Sequence, residues 1–93
     1  MATIKAVKDH PNADRLYILT ISTGSEEKDV VAGIKGHYAK EELIGRQVIV
    51  ADNLEPAVIR GVESKGMVLA VKEGNALSLI VPDKPVTPGS LVS

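Results

Sequence analysis

The sequence predicts an all-β fold: a five-stranded Greek-key barrel with one short helix between strands 3 and 4 and a carboxy-terminal extension. Three observations carry this reading. Short β-branched and aliphatic runs recur along the chain, bounded by Gly, Pro, Asn or Asp. One stretch of good helix formers, little more than a turn long, falls between the third and fourth runs. The 93 residues, 44% of them hydrophobic, are enough for one domain (1–93) with a modest core and too few for two.

The runs follow in order. Thr3–Lys8 reads as a first strand, stopped by Asp9-His10-Pro11-Asn12, where Pro11 holds His10 extended and Asn12 to Asp14 supply turn formers. Leu16–Ser22 is a second strand, ended by Thr23-Gly24, and Asp29–Ile34 a third, broken by Gly33 and Gly36. Ser25-Glu26-Glu27 reads as a solvated hairpin tip. Ala39–Leu43 is the helical turn, closed by Gly45. Gln47–Ala51, Met67–Val71 and Leu77–Val81 are further strands, with Glu73-Gly74-Asn75 as a hairpin turn before the last. The tail, with Pro82, Pro85, Pro88 and Gly89, is expected to lie across the surface. This order matches the oligonucleotide/oligosaccharide-binding barrel, which places its helix between the two halves of the Greek key.

Composition narrows function. Without cysteine the chain has no disulfide, thiolate metal site or cysteine nucleophile. His10 and His37 lie far apart and no His/Asp/Glu cluster has metal-ligand spacing, so no metal or cofactor is expected. Nucleotide fingerprints of the GxGxxG or GxxxxGK[ST] type are absent, and the reading is a non-enzyme. No apolar run approaches the ~20 residues of a membrane-spanning helix, and the start does not read as a secretory signal; the expected location is the cytoplasm, without a membrane partner. Net charge is −1, so a general polyanion grip is not expected, although a local patch is compatible. With Tyr17 and Tyr38 as the whole aromatic set, any RNA is recognised by shape and backbone rather than by stacked bases.

Asn53–Met67 is neither a helix nor a plain strand. Arg60 and Lys65 each precede a glycine, and two readings stand. In one, Gly61 and Gly66 serve tight turns while Arg60 and Lys65 pair with Glu55 and Glu63. In the other, the glycines let backbone approach a ligand, Arg60 and Lys65 face phosphate, and Ser64 and Asn53 bond sugar or base edges. Bare spacing favours the first. Elsewhere, His10 reads as a turn residue bonded to backbone, Asp9 and Asp14 as caps of that turn, and His37 as either solvated or a contact residue.

The motifs resemble those of the tRNA-binding domain family, which includes stand-alone tRNA-binding proteins, the methionyl-tRNA synthetase carboxy-terminal domain and endothelial-monocyte-activating polypeptide. His10-Pro11-Asn12-Ala13-Asp14-Arg15-Leu16 resembles "HPNADKL". Gly33-Ile34-Lys35-Gly36-His37-Tyr38 with Glu41-Glu42-Leu43-Ile44-Gly45 is similar to "SGIxxxYxPEELxG". Asn53-Leu54 with Arg60-Gly61-Val62-Glu63-Ser64-Lys65-Gly66-Met67 is similar to "NLKPRKxRGxxSxGM", and Pro85 to Ser90 resembles the family's ending. The resemblance implies the same barrel and structure-specific binding of tRNA, alone or with a synthetase such as methionyl-tRNA synthetase, commonly as a homodimer. Carried over position by position it implies a face of Lys35, Asn53, Arg60, Ser64 and Met67, with Arg15 keeping the charge of the family's lysine. For Met67, at the head of an apolar strand, a core role is equally compatible. The resemblance reverses the ranking for Asn53–Met67 in favour of a binding loop.

One departure matters. Glu55-Pro56-Ala57-Val58 stands where the family commonly has Lys-Pro-Arg-Lys, so tRNA affinity is expected to be weaker than in basic relatives. Some relatives are described as chaperones for exported proteins, and the apolar Ala57-Val58-Ile59 with the acidic balance makes a protein-binding module the alternative.

Overall fold

A computed structural model describes residues 1–51 and 56–90. Its first half is an antiparallel meander of β1 (Ala2–Asp9), β2 (Tyr17–Ser22) and β3 (Glu27–Ala32). The short β4 (Gln47–Val48) pairs with the other edge of β1, giving the order β3-β2-β1-β4. Register explains the core. Leu19 faces Val30, Tyr17 faces Ala32, and Ile4 faces Ile21 across the ladders. Because side chains alternate along a strand, these residues share one face. They pack there with Ala2, Ile34, Leu43, Val48 and Leu79. Lys5 lies at a register shift between Ile4 and Ala6, a bulge of the kind that bends a strand and helps a sheet to curl.

The helix is α1 (Lys40–Leu43), between β3 and β4 as expected. Its cap is one-sided: the Ala39 N–H donates to the Glu42 carboxylate at 2.9 Å, while Ala39 has no side-chain acceptor to return. Its purpose in packing is Leu43, which is fully buried.

The second half is more broken. β5 (Val50–Ala51) pairs with β8 (Met67–Val68), and β9 (Ala70–Glu73) forms a hairpin with β10 (Ala76–Leu79) through the expected Gly74-Asn75 turn. Between them β6 (Ala57–Ile59) and β7 (Val62–Ser64) form a hairpin in the stretch expected to be loop. The described residues thus hold ten strand segments: the six runs read from the sequence, two of them split at Ile49 and Leu69, and the two strands of this hairpin. Ile49 and Leu69 still take part: Leu69 N–H donates to the Ile49 carbonyl at 3.0 Å, and Ile49 N–H to the Ile80 carbonyl at 3.3 Å. The free edge of β3 meets the second half through Lys65 N–H, which donates to the Asp29 carbonyl at 3.1 Å.

The tail crosses the surface and ties back to the start. Val86 N–H donates to the Gln47 amide oxygen at 2.9 Å, Gly89 N–H to the Met1 carbonyl at 2.8 Å, and the amino terminus to the Ser90 carbonyl at 3.0 Å. Among the described residues no helix is long and apolar enough to cross a membrane.

Candidate nucleic-acid interface

The β6–β7 hairpin turns through two residues, Arg60 (φ 53°) and Gly61 (φ 86°). Positive φ at both central positions is what a two-residue hairpin needs to match strand twist, and Asn-Gly is its usual occupant. Gly61 adopts this freely. Arg60 does not: a side-chain-bearing residue in the left-handed region costs roughly 1–2 kcal/mol, and among the described residues Arg60 is the one non-glycine with positive φ. Such strain persists only where the surroundings enforce it.

The surroundings are the His10-Pro11-Asn12 corner. His10 is buried, 5% exposed. Its Nδ1 accepts the Asn12 N–H at 3.0 Å, so the proton is on Nε2, which donates to the Ile59 carbonyl at 2.9 Å. The Asn12 side-chain amide donates to the Arg60 carbonyl at 3.1 Å. A Cβ on Gly61 would meet that amide at 3.4 Å, so glycine also makes room for the contact. His10 is therefore the backbone-bonded turn residue its sequence context suggested, and besides the local Asn12 N–H it bonds backbone 49 positions away.

Arg15 and Arg60 line one groove of about 470 Å³ with Asn12, Ala13, Asp14 and Leu16. Both arginines are exposed, and neither has an ion-pair partner among the described residues. A free guanidinium presents a planar fork of donors suited to phosphate. Asp14 in the same groove tempers the positive field.

The remaining site residues divide. Lys65 is exposed and its ammonium lies 3.8 Å from Glu63, the neutralising pair anticipated for it, though at a distance worth little in solvent. Arg60 makes no such pair among the described residues, and Glu55, its anticipated partner, lies outside them. Lys35 is spoken for: Asp9 holds it at 3.1 Å and Lys40 at 3.0 Å. The hydrogen bond from Lys40, then that from Lys35, keeps the Asp9 carboxyl below its ordinary range, and Asp9 in turn raises Lys40. Asp9 thus serves as the counter-ion of two lysines rather than as a turn cap. Met67 is 55% exposed and belongs to the surface, not the core. His37 is exposed.

Ser64 is placed differently from what the motif implies. It is 3% exposed, its Oγ accepts the Val31 N–H at 2.9 Å and donates to the Gly66 carbonyl at 2.9 Å. Its hydroxyl is used in fastening β7 to β3. Gly66 beside it lies so close to β5 that an added Cβ would fall 3.0 Å from the Ala51 carbonyl. The glycine's close approach is to the protein's own backbone. Asn53 lies outside the described residues.

Three features escaped the sequence reading. The β6–β7 hairpin is one, because its two three-residue strands are too short and too exposed to show alternation. The role of Asn12 is another; the packing of His, Pro and Asn into one corner was the available signal. The third is Arg46, whose guanidinium lies 5.7 Å from the Tyr38 ring centroid. No group of three or more His, Asp or Glu among the described residues is arranged to hold a metal ion.

Comparison with known proteins fits this geometry. Residues 1–91 match the family model described as "Putative tRNA binding domain". A methionine–tRNA ligase of Nanoarchaeum equitans is 50% identical over 86 residues, covering 92% of this chain. One of Pyrococcus horikoshii is 51% identical over the same number, again covering 92%. The chain spans only 11% and 12% of the lengths of those relatives. Among solved structures, a protein related to methionyl-tRNA synthetase from Pyrococcus horikoshii aligns with TM-score 0.90 at 30% identity, over 99% of this chain and 85% of that one. The CsaA chaperone of Picrophilus torridus also aligns with TM-score 0.90, at 32% identity, over 99% and 87%. These neighbours share the barrel, and this chain belongs to the tRNA-binding domain family.

Proposed function

We propose that this chain is a non-catalytic module that binds tRNA by its folded shape and backbone, in the cytoplasm, either alone or beside an aminoacyl-tRNA synthetase such as methionyl-tRNA synthetase. The family match across residues 1–91 carries the reading. The proposed face is the groove of Arg15 and Arg60, extended by Lys65, Met67 and Asn53, with Lys35 held in reserve by Asp9. Phosphate contacts supply affinity on such a face, and base edges contribute little. The test is a filter-binding titration with total tRNA across a salt series. A complex whose affinity falls linearly in log–log with salt is expected, with a slope of about −2 to −3 for two or three phosphate contacts. No complex at low ionic strength ends the reading.

A homodimer is part of the proposal. Met67 on β8, Leu69 at the break and Val71 on β9, spaced two apart along the chain, are all exposed apolar side chains. Alternation puts them on one side of the ribbon, and exposed apolar stripes mark interaction surfaces. Mass in solution tests this directly. A second reading, a protein-binding module, draws on the same stripe, on Val58 at 72% exposure and on the structural likeness to the CsaA chaperone. It is distinguished by binding of an unfolded polypeptide that excess tRNA does not displace.

A further inference from the structure

We propose that His10 and Asn12 are positioning residues for Arg60: they act through it, by setting the direction in which the Arg60 guanidinium is presented. This rests on the tRNA reading and adds to it residues that the motif-derived face does not include.

The two carbonyls they hold are those of Ile59 and Arg60. These belong to the peptide units immediately before and after the Arg60 Cα. Peptide units are planar, so holding both carbonyls restricts the Arg60 φ and ψ. The Cα–Cβ direction then follows. The clamp is itself rigid, because His10 uses both ring nitrogens and is nearly fully buried, and one of those bonds is to the Asn12 N–H. Asn12 also lines the groove with Arg15 and Arg60. A turn that prefers Asn-Gly thereby carries a cation instead, aimed at the groove. Holding a charged group in place before binding removes part of the ordering cost of association.

The test is a double-mutant cycle on tRNA binding with folding checked by circular dichroism. Asn12 is exposed, so Asn12→Ala leaves the core alone. It is expected to weaken tRNA binding on the order of fivefold, a typical coupling between contacting residues. The same change in an Arg60→Ala background is expected to do nothing. His10→Gln, which keeps a donor near the Ile59 carbonyl and loses the acceptor for Asn12, is expected to show the same dependence on Arg60. In the wild type, ring-nitrogen NMR of His10 is expected to show the Nε2–H tautomer. Equal losses in both backgrounds, or an Nδ1–H ring, overturn the positioning role while the tRNA reading stands. A wild-type chain that forms no tRNA complex removes that reading and this role together.

Discussion

The β2–β3 and β6–β7 hairpins touch where Ser64 meets Val31, yet different forces hold them. In β2–β3, six residue pairs place Tyr17, Leu19, Ile21, Val30 and Ala32 in the core. Burial of apolar surface, at about 25 cal/mol per Å², dominates there. In β6–β7, three pairs leave Ala57 and Val58 exposed, and the hairpin depends on polar attachments from His10, Asn12 and Ser64. Scaffold and presenting loop are therefore separable. The first is specified by periodicity and the second by a few hydrogen bonds from distant residues.

Five changes test this contrast. Leu19→Ala empties a fully buried position. It should cost about 2–5 kcal/mol, and lower Tm by on the order of 10 °C or more for a chain of this size. A loss below about 1 kcal/mol in urea denaturation contradicts the core assignment. Ser64→Ala leaves the Val31 N–H and Gly66 carbonyl without their partner. It should cost about 1–3 kcal/mol and leave the salt slope of tRNA binding unchanged; a changed slope with unchanged stability returns Ser64 to the ligand.

The third change addresses the loop alone. Arg60→Ala with Lys65→Ala should reduce the salt slope by about 2 units, with stability altered by no more than about 0.5 kcal/mol. Arg60→Gly separates strain from charge: it should raise stability by about 1 kcal/mol as the left-handed position is relieved, while still weakening tRNA binding. If Arg60→Gly is destabilising instead, the strain assigned to the turn is not there.

Asp9→Asn is expected to have the smallest effect. Its loss releases Lys35 and Lys40, and tRNA affinity at neutral pH should rise by about twofold, in line with the small worth of exposed pairs. The pairing also has a signed pH dependence. Asp9 is held below its ordinary value of 3.8, so its contribution is present above that range and disappears as pH falls through the lowered folded value. Lys40 is raised above 10.5, so its share is lost as pH rises through the raised value. Between these limits the wild-type minus Asp9→Asn difference in stability should be flat with pH; a slope near neutrality would point to another group.

Much of the scaffold was legible. Thr3–Lys8, Leu16–Ser22 and Asp29–Ile34 lie within two residues of β1, β2 and β3, because alternating apolar residues report a buried sheet face directly. The ends differ for a local reason: Glu27 and Lys28 extend β3 backwards by pairing with Ser22 and Ile21, where partner strand rather than propensity decides. Of the candidate face, Arg60 and Lys65 could be singled out from their glycine neighbours. What could not be read was that Ser64 would be buried, that Lys35 would be taken by Asp9, or that Met67 would be exposed. Each depends on a residue far away in the chain.

The amino-acid sequence by itself determined the all-β class, the place of the helix and the family, since these rest on periodicity and on motifs contiguous along the chain. Only the tertiary structure decided what each polar residue does. His10 and Asn12 reach Ile59 and Arg60 across 49 and 48 positions, and Ser64 reaches Val31 across 33. A hydrogen bond is satisfied by whichever partner the fold brings within about 3 Å, so the same side chain can present itself to a ligand or fasten a strand. Distance along the chain carries no record of that choice.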